Sequence, residues 1–197
     1  MINLQLIFDA GCSPILYHAQ GKKFDFPDMT VVLCPQCKKD FLKKHGFYSR
    51  YLITFGFAAM IIIRRYYCKC CKKTVSLLPS FCHPKRAYGI EAIIMLLKEF
   101  YDVSLCVSLA VINFYAQTEI ECSRQLLLHY RRRIEKNLKS LIMAITSIYS
   151  FKEPPVTEKT DIKKRVRQFL SHIHRPKDDS LKIFEQTRTT YLTPYPI

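Results

Sequence analysis

The chain has 197 residues, 49% of them hydrophobic and 13% aromatic, which excludes a disordered chain and leaves one ordinary domain or a few small modules. Its 31 Lys and Arg against 16 Asp and Glu leave a net charge of +15, a surplus that calls for a polyanionic partner, nucleic acid before an anionic membrane surface. The longest uncharged runs, 51–63 and 103–118, are shorter than the about 20 apolar residues of a membrane-spanning helix, and no basic stretch precedes a long apolar core near Met1, so no membrane partner and a cytoplasmic location are expected.

Residues 1–33 carry a charge of −1 and no motif, and no role is assigned to them. The first informative stretch is "CPQC" at 34–37, answered by "CKCC" at 68–71. In a reducing compartment, paired cysteines at this spacing read as metal ligands ahead of disulfides. Cys34 with Cys37 and Cys68 with Cys71 form two C-x2-C knuckles, the usual frame of a closed tetrahedral thiolate site for Zn2+; spacing alone does not separate zinc from iron. Cys70 falls between ligands and should point away. Cys12, Cys82, Cys106 and Cys122 lack partners at ligand spacing and are expected to be buried thiols. His45 and His83 are not needed, because four thiolates complete the shell.

Between the knuckles, 47–55 and 58–68 are rich in β-branched and aromatic residues around Gly56, which predicts a hairpin. Together these features predict a zinc ribbon over 34–80, with the metal standing in for a core that so short a segment does not build. A closed four-sulfur site has no open coordination position, so it is structural and does no hydrolysis. Residues 34–90 carry +11, and Lys43, Lys44, Arg50, Arg64, Arg65, Lys72 and Lys73 are the expected phosphate contacts, with tyrosines interleaved.

Residues 77–89 read as a loop. Residues 90–101 repeat apolar positions at helical spacing, and Asp102 or Ser104 would cap a second helix over 105–115 that is apolar nearly all round and therefore expected to be central. Ser123 would cap a long helix starting at Arg124. That helix is basic at first, then carries a seam of Ile134, Leu138, Leu141, Ile145 and Ile148, expected to bury against other helices or to form a homodimer around Leu138 to Ile148. The region 88–150 thus reads as a helix-turn-helix domain whose recognition helix presents Ser123, Arg124, Gln125, His129, Arg132 and Arg133 to a major groove. Residues 151–197 read as a Pro-containing linker at 152–159, a short basic helix at 161–173 and an irregular tail. The expected fold class is α+β: a small β zinc ribbon followed by a mainly α helix-turn-helix region.

The two knuckles, "HGFYSRY" at 45–51 and "CKKTVSLLPSF" at 71–81 together resemble an uncharacterised bacterial family, common in Firmicutes, related to the N-terminal zinc ribbon and helix-turn-helix of insertion-sequence transposases. The likeness covers 25–140, and "SRQLLLHYRRRIEKN" is similar to transposase recognition helices, with Leu126 where Thr is usual and Tyr130 where Trp is. The resemblance implies binding to duplex DNA without catalysis. An acidic-triad transposase needs a separate domain whose carboxylates hold two metal ions, and the stretch after the recognition helix is too short to hold one. The expectation is a non-enzymatic DNA-binding protein. The alternatives are a protein–protein adaptor using the ribbon and the coiled-coil-like helix, a degraded transposase fragment without its catalytic domain, and an enzyme acting on nucleic acid through clustered carboxylates.

Overall fold

The computed structural model describes residues 4–104, 106–149 and 161–187. The linker read at 152–159 lies outside them. The chain is α+β and forms two compact units, one of residues up to Ile53 with Phe57–Ala87 and one of residues from Tyr88 onward, with which Thr54–Gly56 are grouped.

The first unit is a four-stranded sheet in the order β1-β4-β3-β2, with β1 Leu4–Phe8, β2 Lys43–Thr54, β3 Phe57–Tyr67 and β4 Thr74–Pro79, plus helix α1 at Pro14–Gln20. The hairpin between the knuckles forms as expected. Phe55 and Gly56 join β2 to β3, with Gly56 at φ +63°, a left-handed conformation that costs glycine nothing. Ile61 and Ile63 are fully buried on one face of β3 while Ile62 between them is not, the alternation a half-covered strand requires.

Two features depart from the expected ribbon. The segment read as a loop from 77 begins inside β4, which pairs antiparallel with β3 (Arg64 opposite Leu77, Tyr67 opposite Thr74) and parallel with β1 (Leu4 opposite Val75, Phe8 opposite Pro79). Flanked on both sides, β4 is buried from Val75 to Pro79 and so shows no alternation in its sequence. Pro79 is tolerated at its last position. Residues 1–33, given no role by their sequence, supply the edge strand β1 and the helix α1. Ser13 caps α1, Pro14 starts it, and Tyr17 drives into the sheet, its hydroxyl donating to the carbonyl of Ile62 (2.7 Å) and its ring against Phe24 and Phe81. Burial raises the Tyr17 hydroxyl pKa well above the phenol range.

A true apolar core results. Leu4, Tyr17, Leu52, Ile63, Val75 and Leu77 belong to one cluster that also contains Cys34 and Cys68. Each fully buried large side chain contributes about 1.5–3 kcal/mol. The expectation that the metal replaces the core is therefore corrected: the knuckles sit on a sheet that has its own.

The second unit is helical: α2 Ile90–Glu99, a π-helical turn at Phe100–Ser104, α3 Val107–Thr118, α4 Arg124–Tyr149, α5 Ile162–Ser171 and α6 Pro176–Thr187. The predicted amphipathic α2 buries Ile90, Ile93, Ile94 and Leu97. The cap of α3 is Cys106, neither Asp102 nor Ser104, because the π turn carries the chain past both. Helix α3 is not central. Only Ala110 and Phe114 of its side chains are buried, while Leu109, Ile112 and Tyr115 are exposed. Its apolar residues are spread round the helix, so packing covers just one side of them. What holds α3 to α2 is partly polar: the Glu99 carboxylate accepts from Asn113 Nδ2 (2.8 Å) and Gln117 Nε2 (3.1 Å).

The seam of α4 is buried. Ile134, Leu138, Leu141 and Ile145 are each at most 1% exposed, covered by the chain's own α2, α3, α5 and α6. Over Leu138 to Ile145 that face is filled by the chain's own helices, and Ile148, at the end of the seam, is half-buried. The tail read as irregular contains α6, which packs on α4 and α2 and buries Ile183 and Phe184. Its polar opening hid it: Asp179 is buried and accepts from the Arg175 N–H (3.1 Å) and from the Tyr149 hydroxyl. Helix α5, expected as a short basic helix, is capped by Asp161, and Arg167 donates to the carbonyl of Tyr101 (2.6 Å from Nε). No helix among the described residues is long and apolar enough to cross a membrane.

Candidate metal centre and basic faces

The two knuckles fold alike. In each, the residue after the second cysteine is left-handed, Lys38 at φ 53° and Lys72 at φ 54°. In each, the first cysteine's N–H reaches a carbonyl beyond the turn, Cys34 to Asp40 (2.8 Å) and Cys68 to Lys73 (3.0 Å). The turns bring Cys34, Cys37, Cys68 and Cys71 together, all four sulfurs within 4.8 Å of one another. Cys34 Sγ lies 3.7 Å from Cys71 Sγ, and Cys37 Sγ lies 3.6 Å from Cys68 Sγ. Four sulfurs at about 2.3 Å from one tetrahedral ion stand about 3.8 Å apart. The spacing fits.

The chemistry of the donor set fits too. The N–H groups of Gln36 and Cys37 donate to Cys34 Sγ, Lys39 to Cys37, Cys71 to Cys68 and Lys73 to Cys71. Such donors favour thiolate over thiol. At Cys37 the Lys39 N–H dominates and brings the thiol down to about 6. At Cys34, Cys68 and Cys71 burial dominates and pushes the thiol up, the cost a bound cation would remove. The four cysteines could hold a metal ion, which would lock the start of β2 to the end of β3. Cys70 is exposed and outside the four-sulfur cluster, but its thiol hydrogen-bonds with Cys37, so it stays beside the ligands and does not point away as expected. The expectation of buried thiols holds for Cys82 alone. Cys12 and Cys122 are half-buried and Cys106 is exposed, capping α3.

The structure sorts the proposed phosphate contacts of the first unit into two groups. Lys43, Lys44 and Lys72 are exposed, and Lys73 is half-buried. The three arginines are engaged within the fold. Arg64 lies over the Phe47 ring (4.5 Å) and Arg65 over Tyr48 (5.6 Å). Arg50 donates to the carbonyls of His83 and Arg86, tying the 80–87 loop to β2. Arg50→Ala leaves two carbonyls without their charged donor and is expected to cost about 2–4 kcal/mol. Urea unfolding would measure this. A variant of unchanged stability would return Arg50 to the role of a free phosphate contact.

His83, buried in that loop, donates from Nδ1 to the carbonyl of Pro84 (2.9 Å). Burial lowers its pKa from 6.5 to about 3, with Arg86 and Arg50 adding to the effect. The unfolded chain therefore binds the extra proton first. The contribution of neutral His83 is whole above 6.5 and is lost as pH falls toward about 3, at about 2 kcal/mol by pH 5. The difference in stability between wild type and His83→Asn, followed from pH 7 to about 5, should shrink by that amount.

In the second unit, Glu119 ends α3 in the left-handed conformation (φ 57°), the turn runs through 119–123, and Ser123 Oγ accepts the N–H of Leu126 (3.1 Å) to open α4. The predicted cap is therefore in place. Ser123, Arg124, Gln125 and Arg132 are exposed, and His129 and Arg133 half-buried. Gln125, His129, Arg132, Lys136 and Lys139 follow one another at helical spacing on the side opposite the buried seam. Arg131 is instead paired with Glu135 (2.9 Å), which also accepts from the Tyr101 hydroxyl (2.8 Å). The sequence reading passed over Lys136 and Lys139 as site residues. Their place in the 3.6-residue period was the signal for them.

Residues 34–106 match a family described as a domain of unknown function (DUF6431). The matched segment contains both knuckles, the hairpin, β4 and α2. No curated protein and no solved structure matches the chain.

Proposed function

We propose that the chain is a non-catalytic, cytoplasmic bacterial protein that binds duplex DNA through two basic faces, one on a zinc-closed sheet module and one on α4. The observation that carries this reading is the polar stripe from Gln125 to Lys139 on the face of α4 opposite its core. Fourteen residue steps at 1.5 Å make it about 21 Å long, and a B-form major groove about 12 Å wide admits such a helix. The start of α4 adds to it. Arg124 stands at the positive end of the helix with no acidic residue in the first turn, an arrangement disfavoured in isolation and relieved by a phosphate.

The relation to the zinc ribbon and helix-turn-helix of insertion-sequence transposases belongs to this proposal. It is supported by the capped "SRQLLLHYRRRIEKN" helix following a short turn. In it, zinc closes the knuckles and does no chemistry on substrate, and the chain is either a free-standing binder or what is left of such an element. A second reading, a protein–protein adaptor, is favoured by the exposed Leu109, Ile112 and Tyr115 of α3 beside a groove of about 710 Å³. Anisotropy titration with duplex DNA separates the two. Tight binding at low salt that weakens steeply with added salt supports the first, and no binding to any duplex at low salt rejects it.

A further inference from the structure

A cavity of about 540 Å³ opens on one face of the sheet in the first unit. Strand pairing builds its floor: Gln5 of β1 and Arg65 of β3 both stand opposite Ser76 of β4, which places the three in one cross-strand row. Tyr48, Arg50 and Tyr51 of β2 form one wall, and Lys85 and Arg86 come from the loop that Arg50 ties down. Three guanidinium groups and an ammonium thus line one cavity, and no lining residue is acidic. Like charges so placed repel, and an anion between them relieves the repulsion. One buried atom strengthens the case, because Arg65 Nε has no hydrogen-bond partner. A buried donor left unmade is costly. An oxyanion supplies the acceptor that Arg65 lacks, in the forked geometry guanidinium groups favour.

We propose that this cavity binds a nucleoside phosphate through a terminal phosphate monoester. The monoester carries more charge than the single negative charge of a backbone diester, about −1.5 to −2, which suits a cluster of four cations. A volume of about 540 Å³ falls among those of small-molecule sites. It leaves room beside the phosphate for a base, and Tyr51, 46% exposed, offers a ring for that base to stack on. The site is separate from the α4 stripe and does not depend on duplex binding. Its ligand is either a free nucleotide or the 5′-phosphorylated end of a strand, which share this chemistry.

Thermal unfolding of the full chain at constant ionic strength, with adenosine 5′-monophosphate, adenosine, inorganic phosphate or chloride, tests the proposal. The monophosphate should stabilise most and phosphate less, with adenosine and chloride without effect. Arg65→Met should weaken the monophosphate about tenfold to a hundredfold. Lys85→Met, altering an exposed side chain, should weaken it several-fold and serves if Arg65→Met does not fold. Monophosphate no better than adenosine, or binding unchanged in the folded variants, overturns the proposal. A single-stranded oligonucleotide with and without a 5′-phosphate then distinguishes the sources: a preference for the phosphorylated end assigns the strand terminus, and equal binding assigns the free nucleotide. Duplex lacking terminal phosphates reports on the duplex-binding faces and not on the cavity, so loss of either function is read separately.

Discussion

Chelating the metal ion that the four cysteines could hold, or replacing Cys68 with Ser, is expected to release both knuckles and lower the stability of the first unit, while the helical unit keeps its far-ultraviolet signal. The argument is geometric. The four sulfurs stand 3.6–3.7 Å apart in their closest pairs and are met by backbone N–H groups that favour the thiolate form. Without a cation, the charge that these donors stabilise at Cys37 faces three thiols whose burial opposes ionisation. In isolated zinc-finger peptides the bound metal supplies about 10–16 kcal/mol of apparent folding free energy. Here the effect should be smaller, because Tyr17, Leu52 and Ile63 form a core without it. The expected result is a chelator-sensitive lower transition in the first unit, not an unfolded chain. Binding releases protons, so metal affinity should fall as pH falls. Cobalt(II) added to the reduced, metal-free protein should show the intense visible bands of a tetrahedral thiolate site. Cys70→Ser and Cys106→Ser change exposed side chains and should stay within about 0.5 kcal/mol of wild type. Reduced protein that purifies and refolds without a stoichiometric transition metal would remove the zinc from the proposal.

The second large effect is expected on duplex binding. Arg124, Arg132, Arg133, Lys136 and Lys139 are the cations on or beside the stripe of α4. If about four of them each neutralise a phosphate, log K should fall against log salt with a slope near about −3.6 from this helix alone. Arg132→Glu with Lys136→Glu should weaken binding by orders of magnitude and reduce the slope by about 2, with stability unchanged because both side chains are exposed. Arg131→Glu is the contrast. It breaks the pair with Glu135 and places like charges four residues apart, so it should cost stability more than its neighbours do. A double charge reversal that leaves duplex affinity and salt slope unaltered would move the binding face away from α4. The exposed apolar residues of α3 would then be the surface to test, by light scattering and partner capture.

What the sequence could carry by itself is local. Two C-x2-C spacings announce a four-sulfur cluster because a knuckle is one turn of backbone, and Gly56 announces the hairpin because only the turn needs its φ. Ser123 marks the start of α4 for the same reason: a cap is decided within four residues. The period of Ile134, Leu138, Leu141 and Ile145 identified a buried stripe, though not what covers it. Tertiary structure decided the rest. β4 has no alternation to read because strands flank it on both sides, and β1 is recognisable as a strand only once β4 offers it a parallel edge. α6 opens on Asp178 and Asp179, and the partner that meets buried Asp179, Tyr149, lies thirty residues away in the chain. α3 looked central because its residues are apolar, yet burial is a property of neighbours, and the neighbours cover one side of it. The row of Gln5, Ser76 and Arg65 joins three distant segments through strand pairing alone, so the cavity it floors exists only in the folded sheet.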